Sequence, residues 1–298
     1  MRVVIALGGG CQPLASPSGY PAPRSVADAR RTPAIVRTAV PVRAVFFDLY
    51  GTLIDIWTNE DDPGVYETLS HYLAYLGILT TPEALRTDYK ARVQAALDRR
   101  PSAHHEVDVY RIFFDLLGTG TARGGGVLSR GRPSDPASMA LATAVLYRAL
   151  TRRRFEVFPG VYEVLDTLRT VYRLGLISDA QWVFAEPELE MTGLSRFFQA
   201  IVLSSRIGVK KPSPAIFTEA LRRLGVPAEE SVYIGDSPDR DLVGARAAGM
   251  RCILFRAVPA DQNTPLADAR FDDYAMLPGI LREFSGVHSS PRSAETLP

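Results

Sequence analysis

The chain reads as an α/β protein in which a parallel sheet is interrupted by an inserted helical block. Three observations lead there. From residue 155 onward, short apolar runs alternate with helix-period segments, the pattern of βαβ units and a parallel sheet. Residues 42–55, VRAVFFDLYGTLID, open that pattern with an apolar run from Ala44 to Phe47, a strand buried on both faces. Between the two regions, residues 57–155 carry helical patterns.

In chain order, residues 1–41 are rich in Pro, Gly, Ser, Ala and Arg and read as a poorly ordered extension. Val3 to Leu7 has the composition of a strand, but the Gly8-Gly9-Gly10 that follows opens no G-x-G-x-x-G or P-loop pattern. The strand at Ala44 ends on Asp48, and Gly51 and Thr52 bend the chain. Helices are predicted over residues 64–76, 82–99, 107–117 and 136–152. In the first, Val65, Leu69, Tyr72, Leu73 and Leu76 recur at helical spacing. In the second, Thr81-Pro82-Glu83 supplies an N-cap, a first-turn proline and a first-turn acid. Residues 118–133, GTGTARGGGVLSRGRP, read as a flexible loop.

Pro159-Gly160 then opens a helix to about residue 171, followed by a strand over 173–178 and a helix over 184–192. A strand at 200–204 precedes a helix at 213–224, capped by Ser213 and closed by Gly225. A strand at 231–235 runs into Asp236, a helix at 242–248 stops at Gly249, and a last strand covers 250–255. The expected division is a core of residues 42–56 and 156–285, a helical block of 57–155, and a disordered tail of 286–298.

A net charge of +1 offers no case for a nucleic-acid or anionic-membrane partner. No apolar run approaches the roughly 18 residues of a membrane span, and MRVVIALGGG is a poor signal peptide. Cys11 and Cys252 lie far apart and form no metal or redox pattern. A cytoplasmic protein with reduced thiols is the expectation. Lysine occurs only at Lys90, Lys210 and Lys211 among 34 basic residues, so a lysine pair at one spot calls for a reason.

Asp48, Ser178 and Asp236 end three strands that a parallel sheet would bring to one edge, where open α/β sheets place their chemistry. Asp48 is the candidate nucleophile. Asp236 and Asp241, five residues apart across a turn, would join Asp48 in a site for a hard cation such as Mg²⁺. Without a cation or a shared proton their mutual repulsion would stand unbalanced. Asp239 reads instead as a helix N-terminal acid. Lys211, beside Pro212, is the lysine expected to face inward and neutralise an anionic intermediate, as a compact point charge. His104-His105 lacks metal-ligand spacing and reads as a surface pair.

Together these positions resemble the haloacid dehalogenase-like (HAD) hydrolase superfamily. Its first motif, D-x-D-x-T, matches FFDLYGT at Asp48 and Thr52, with Tyr50 in place of the second acid. The second matches Ser178 in LISDA, the third Lys211-Pro212, and the fourth Gly235 to Met250. The motifs stand in the family's order and cover residues 42–284. The resemblance implies a Rossmann-like core with the helical block as a small cap. It also implies covalent catalysis on Asp48, with Thr52, Ser178, Asp179 and Lys211 meeting the substrate. Asp48, the Tyr50 carbonyl, Asp236 and Asp241 would serve Mg²⁺, and the cap would exclude water and select the leaving group.

Tyr50 departs from the phosphatases of the family, which usually carry an Asp general acid there. A phenol with a pKa of about 10 is a poor substitute. The D-x-Y-G-T form is similar to the 2-haloacid dehalogenases, whose halide leaves without a proton. Those enzymes work without metal, carry a Ser-Asn pair where this chain has Gly235-Asp236-Ser237, and carry Asn where it has Asp179. Arg86, Arg92, Arg99 and Arg111 are the candidates for their halide-binding arginine. The fourth motif is the longer match, so the expectation is a Mg²⁺-dependent phosphatase acting on a small phosphate ester. A metal-independent dehalogenase and a non-catalytic binding protein are the alternatives.

Overall fold

The structure, a computed structural model, describes residues 40–99, 103–118, 135–256 and 267–285. The expectations for residues 1–39, 119–133 and 286–298, Cys11 and the Val3 to Leu7 strand among them, lie outside the described residues. The elements are β1 (Ala44–Phe47), β2 (Ile54–Thr58), α1 (Pro63–Tyr75), α2 (Pro82–Asp98), α3 (Val109–Gly118), α4 (Pro136–Thr151) and β3 (Arg152–Val157). There follow α5 (Val161–Leu168), β4 (Arg173–Ser178), α6 (Trp182–Met191), β5 (Ala200–Leu203), α7 (Ser204–Ile207) and α8 (Pro214–Leu224). The chain closes with β6 (Ser231–Gly235), α9 (Val243–Ala247), β7 (Arg251–Phe255), β8 (Ala269–Phe271) and α10 (Leu277–Phe284).

Six strands form one parallel sheet in the order β5-β4-β1-β6-β7-β8. The expected parallel α/β architecture is therefore the one observed. The unbroken apolar run of β1 follows from its central place. Val45 and Phe47 pack into one core with Leu176, Ile234 and Leu277, while Ala44 and Phe46 pack into a second with Ile177, Phe217 and Leu254. The chain runs outward from β1 through β4 to β5, then crosses to β6 on the other side. The carboxyl ends of β1, β4 and β6 thus flank the point where strand order reverses, the crevice in which such sheets bind ligands.

Helices α1 to α4 share a third core, built from Leu69, Tyr89, Phe113 and Tyr147 and joined by Val183 and Phe184 of α6. Their starts follow local chemistry. Asp62, Thr81 and Asp135 each accept a backbone N–H at the N-terminus of α1, α2 and α4, and each of those helices begins with proline.

Four elements depart from the sequence pattern. β2 and β3 pair antiparallel, Ile56 opposite Phe155 and Trp57 opposite Arg154, where the pattern showed no strands. RRRFEV has too little apolar content to read as a strand, and its pairing with β2 is what forms it. The short β8 and α10 lie in a stretch that carried no strong periodicity. The helix expected over residues 242–248 is present as α9, and a π-helical turn, Pro238–Leu242, that the pattern did not show leads into it. Among the described residues no helix is long and apolar enough to cross a membrane.

Candidate active site

Asp48 leaves β1 with its backbone N–H on the Ile234 carbonyl, 2.8 Å, which fixes it level with the end of β6. Its Oδ1 accepts the Leu49 N–H at 2.8 Å. A tight loop follows, in which Leu53 and Ile54 both donate to the Leu49 carbonyl and Gly51 donates to the Ile54 carbonyl. Gly51 holds φ at +82°, and a β-carbon there would lie 2.4 Å from Asp236 Oδ2, so this turn needs glycine for two reasons. Inside the loop the Thr52 hydroxyl is buried without a hydrogen-bond partner among the described residues.

Of the lysine pair, Lys211 is the inward one. It is 2% exposed, and its Nζ lies 2.6 Å from Asp241 Oδ1, 3.0 Å from Asp48 Oδ2 and 3.0 Å from the Tyr233 hydroxyl. Burial alone would lower its pKa, but Asp241 and Asp48 outweigh that and raise it. Its backbone N–H donates to Asp179 Oδ1 at 2.8 Å, which ties the lysine loop to the residue after Ser178. Ser178 itself is buried at the end of β4.

Asp241 is bound on both oxygens. Oδ1 accepts Lys211 and the Tyr233 hydroxyl, and Oδ2 accepts the N–H groups of Asp236 at 3.0 Å and Ser237 at 2.8 Å. A β-carbon on Gly235 would sit 2.4 Å from that Oδ2, so glycine is required where β6 ends. Burial raises the Asp241 pKa, yet Lys211, Arg240 and the Ser237 N–H reverse the sign and hold it below the usual value. Asp236 lacks such partners. Burial, then Asp241 and Asp48, push its carboxyl up to about 7, and its Oδ1 is buried without a hydrogen-bond partner among the described residues. Burial also raises Asp48 against the pull of Lys211, and lifts Asp179 to about 6.

One oxygen each from Asp48, Asp236 and Asp241 lie within 4.8 Å of one another. The free Asp236 oxygen and the hard carboxylate donors fit a cation of the Mg²⁺ class. Asp241, with four donors on it, is placed to orient the neighbouring acids rather than to offer a free oxygen.

Tyr50 turns away from this cluster. Its hydroxyl donates to Glu188 Oε2 on α6, and the Arg148 guanidinium of α4 lies 5.3 Å from its ring centroid. Burial, then the Glu188 charge, raise the phenol well above its ordinary value. The arginine at Tyr50 is thus Arg148. The four named from the sequence lie elsewhere: Arg86 on Asp61, Arg92 on Asp88, Arg111 on Asp115, and Arg99 exposed at the end of α2.

Residues missed at the sequence level include Arg148, Glu188, Arg240 and Glu106. The first two left a signal. Arg148 falls in the buried stripe Ala140, Ala144, Tyr147, Thr151 of α4, and Glu188 between Ala185 and Leu189 on α6. A charge on an apolar stripe calls for a buried partner. Arg240 reaches Asp179 Oδ2 at 3.8 Å. Glu106 accepts the Ser204 hydroxyl at 2.8 Å, and Gln181 bonds both the Val109 N–H and the Val107 carbonyl, so the helical layer is pinned beside the end of β4. His105 bridges Val209 in the same contact.

A family model for haloacid dehalogenase-like hydrolases matches residues 42–249. The chain belongs to the haloacid dehalogenase-like hydrolases. The resemblance carried by the motifs at Asp48, Ser178, Lys211 and Gly235 therefore holds, and the protein is a hydrolase of that superfamily. It is similar to a glyceraldehyde 3-phosphate phosphatase of Methanopyrus kandleri, 34% identical over 64% of this chain and 83% of the relative. It is also similar to a plasmid-borne phosphoglycolate phosphatase of Cupriavidus necator, 31% identical over 82% of this chain and 94% of the relative. Among solved structures, a 2-haloacid dehalogenase from Pseudomonas syringae pv. tomato superposes with a TM-score of 0.58 at 27% identity, over 82% of this chain and 99% of that one.

Proposed function

We propose that this HAD hydrolase is a Mg²⁺-dependent phosphatase of a small phosphomonoester, working through an aspartyl-phosphate on Asp48. The observation that carries the reading is the acidic cluster of Asp48, Asp236 and Asp241, with Lys211 buried against Asp48 and Asp241 and one Asp236 oxygen without a partner among the described residues. The metal-independent alternative has no use for that oxygen. Relatives named as phosphatases support the same choice.

In this reading Asp48 and Asp236, with the Tyr50 carbonyl, hold Mg²⁺, and Asp241 orients Asp236 through its backbone N–H. The bound ion supplies positive charge to the phosphoryl oxygens. Asp48 attacks phosphorus, forming the Asp48 O–P bond as the ester P–O bond breaks and the leaving oxygen takes the electron pair. Lys211 keeps Asp48 ionised and, with the Thr52 and Ser178 hydroxyls, meets the phosphoryl oxygens. Water then attacks phosphorus as the Asp48 O–P bond breaks, which restores the carboxylate and releases inorganic phosphate, and the proton that water gives up balances the one taken by the leaving oxygen. The helical layer of residues 57–155 acts as a cap over the core of residues 42–56 and 156–285, excluding water and selecting the leaving group.

A second reading has its own support. Tyr50 in the D-x-Y-G-T form and the dehalogenase neighbour both favour a 2-haloacid dehalogenase. One assay set separates the two: p-nitrophenyl phosphate with Mg²⁺ or with EDTA, and 2-chloropropionate without metal. Phosphate release that EDTA abolishes and Asp48→Asn removes supports the phosphatase. Chloride release that is indifferent to EDTA overturns it.

A further inference from the structure

We propose that Glu188 is a positioning residue: it fixes Tyr50 behind the nucleophile and, through Arg148 and Arg152, holds the helical layer in register with the Asp48 loop. The inference rests on the reading of Asp48 as nucleophile but, apart from Tyr50 in the first motif, uses residues outside the four motifs. Glu188 is 4% exposed on α6, and all of its accepting capacity is taken. Oε1 accepts Arg148 Nε at 2.8 Å and Arg152 Nη1 at 3.2 Å, while Oε2 accepts an Arg148 Nη at 3.1 Å and the Tyr50 hydroxyl. The Arg148 guanidinium is itself layered between two rings, 5.3 Å from the Tyr50 centroid and 5.1 Å from that of Phe184.

The four groups come from three stretches of chain: the loop after β1, the junction of α4 and β3, where the Arg152 N–H caps α4 on the Arg148 carbonyl, and α6. A well-packed apolar set would stabilise the fold at least as well, so a fully satisfied buried ion network is more informative as a device that selects one arrangement. The arrangement it selects is the seat of α4 and β3 on the loop that carries Asp48. Tyr50 is two residues from Asp48, and the intervening turn is closed by the hydrogen bonds at Leu49, Gly51 and Ile54. A displacement of the phenol therefore moves the backbone that sets the nucleophile. Misplacement of a reacting group by about 1 Å is worth about a hundredfold in rate.

The test compares Tyr50→Phe, Glu188→Gln and Glu188→Ala with wild type. It uses p-nitrophenyl phosphate and β-glycerophosphate as good and poor leaving groups, with amide hydrogen exchange read over residues 48–54 and 144–151. Tyr50→Phe removes only the tie and is the variant least disposed to misfold. The expected result is a fall in kcat of about tenfold or more, equal for both esters, with KM and the pH profile unmoved and exchange accelerated in both segments. Glu188→Gln, which keeps an acceptor for the phenol, should lose less than Glu188→Ala. Faster exchange with wild-type kcat would make the network structural only and overturn the proposal. A loss confined to β-glycerophosphate, with a shifted pH limb, would make Tyr50 a proton donor and overturn it as well. A wild type that hydrolyses neither ester sinks the phosphatase reading alone; the exchange comparison still decides the tie, and unchanged exchange in Tyr50→Phe refutes it.

Discussion

Replacing Lys211 with methionine probes the charge balance on which the site depends. Its Nζ stands 2.6 Å from Asp241 Oδ1 and 3.0 Å from Asp48 Oδ2, with side-chain exposures of 0% for Lys211 and Asp241 and 5% for Asp48. At an effective dielectric constant of about 20, each contact attracts by about 5–6 kcal/mol. Desolvation takes back several kcal/mol for each buried ion, on the order of the same sum. The intact cluster is therefore close to neutral for stability, while loss of one member is not. Methionine fills the space of the lysine stem and leaves two buried carboxylates without their cation, a change that costs about 3–5 kcal/mol.

The deficit should depend on pH, with a definite sign. Without Lys211, the folded pKa of Asp48, already raised by burial, climbs further, and that of Asp241 rises above its unfolded value. Proton uptake then stabilises the folded variant, and its stability falls as pH increases from about 5 to about 8. In wild type, Lys211 has its pKa raised above 10.5 and stays charged throughout that window, so it adds no slope there. Urea unfolding of both proteins in metal-free buffer at the two pH values gives the difference directly. A loss below about 1 kcal/mol at the higher pH, the size of an exposed pair, would refute the account. So would an identical loss at both pH values.

Gly235→Ala should cost several kcal/mol, on the order of an overpacked core substitution or more, and abolish turnover. The new methyl meets Asp241 Oδ2 at 2.4 Å, and that oxygen is held by two backbone N–H groups. Thermal unfolding and phosphate release check this, and a stable, active variant would count against the geometry. Metal-free wild type should melt at lower temperature at pH of about 8 than at about 5.5, by roughly 2–4 °C for each kcal/mol of linkage. Glu60 and Asp236, lifted to about 7, and Asp179, lifted to about 6, chiefly by burial, bind protons more tightly when folded, so their stabilising protons are lost as pH rises. Asp241 is displaced downward and acts only below its ordinary 3.8. Calorimetry showing no slope would sink this. Asp236→Asn should raise the melting temperature of the metal-free protein at the higher pH and erase the stabilisation that Mg²⁺ gives wild type; retention of the Mg²⁺ effect would remove Asp236 from the metal site.

Much of the molecule was legible from local chemistry. The apolar run before Asp48 marked a central strand because a parallel sheet covered on both faces leaves no polar side to alternate with. The helix at Pro82 was marked by Thr81 before it and proline in its first turn, and the helix after Pro63 by apolar residues at helical spacing. Lys211 stood out because the chain otherwise uses arginine, and it is the lysine that the fold buries against Asp48. Strand ends at Asp48, Ser178 and Asp236 could be aligned because parallel pairing leaves their carboxyl ends on one edge.

What the sequence determined by itself was therefore the fold class, the order of most elements and the identity of the charged groups on the sheet edge. Each depends on periodicity, caps or strand ends, which are written within a few neighbouring residues. Tertiary structure alone decided the pairing of β2 with β3, the way Asp241 is consumed by backbone donors while Asp236 keeps an open oxygen, and the direction of Tyr50. Its hydroxyl meets Glu188, 138 residues away in the chain. Contacts of that span leave no local pattern, because the partners meet only after both the sheet and the helical layer have formed.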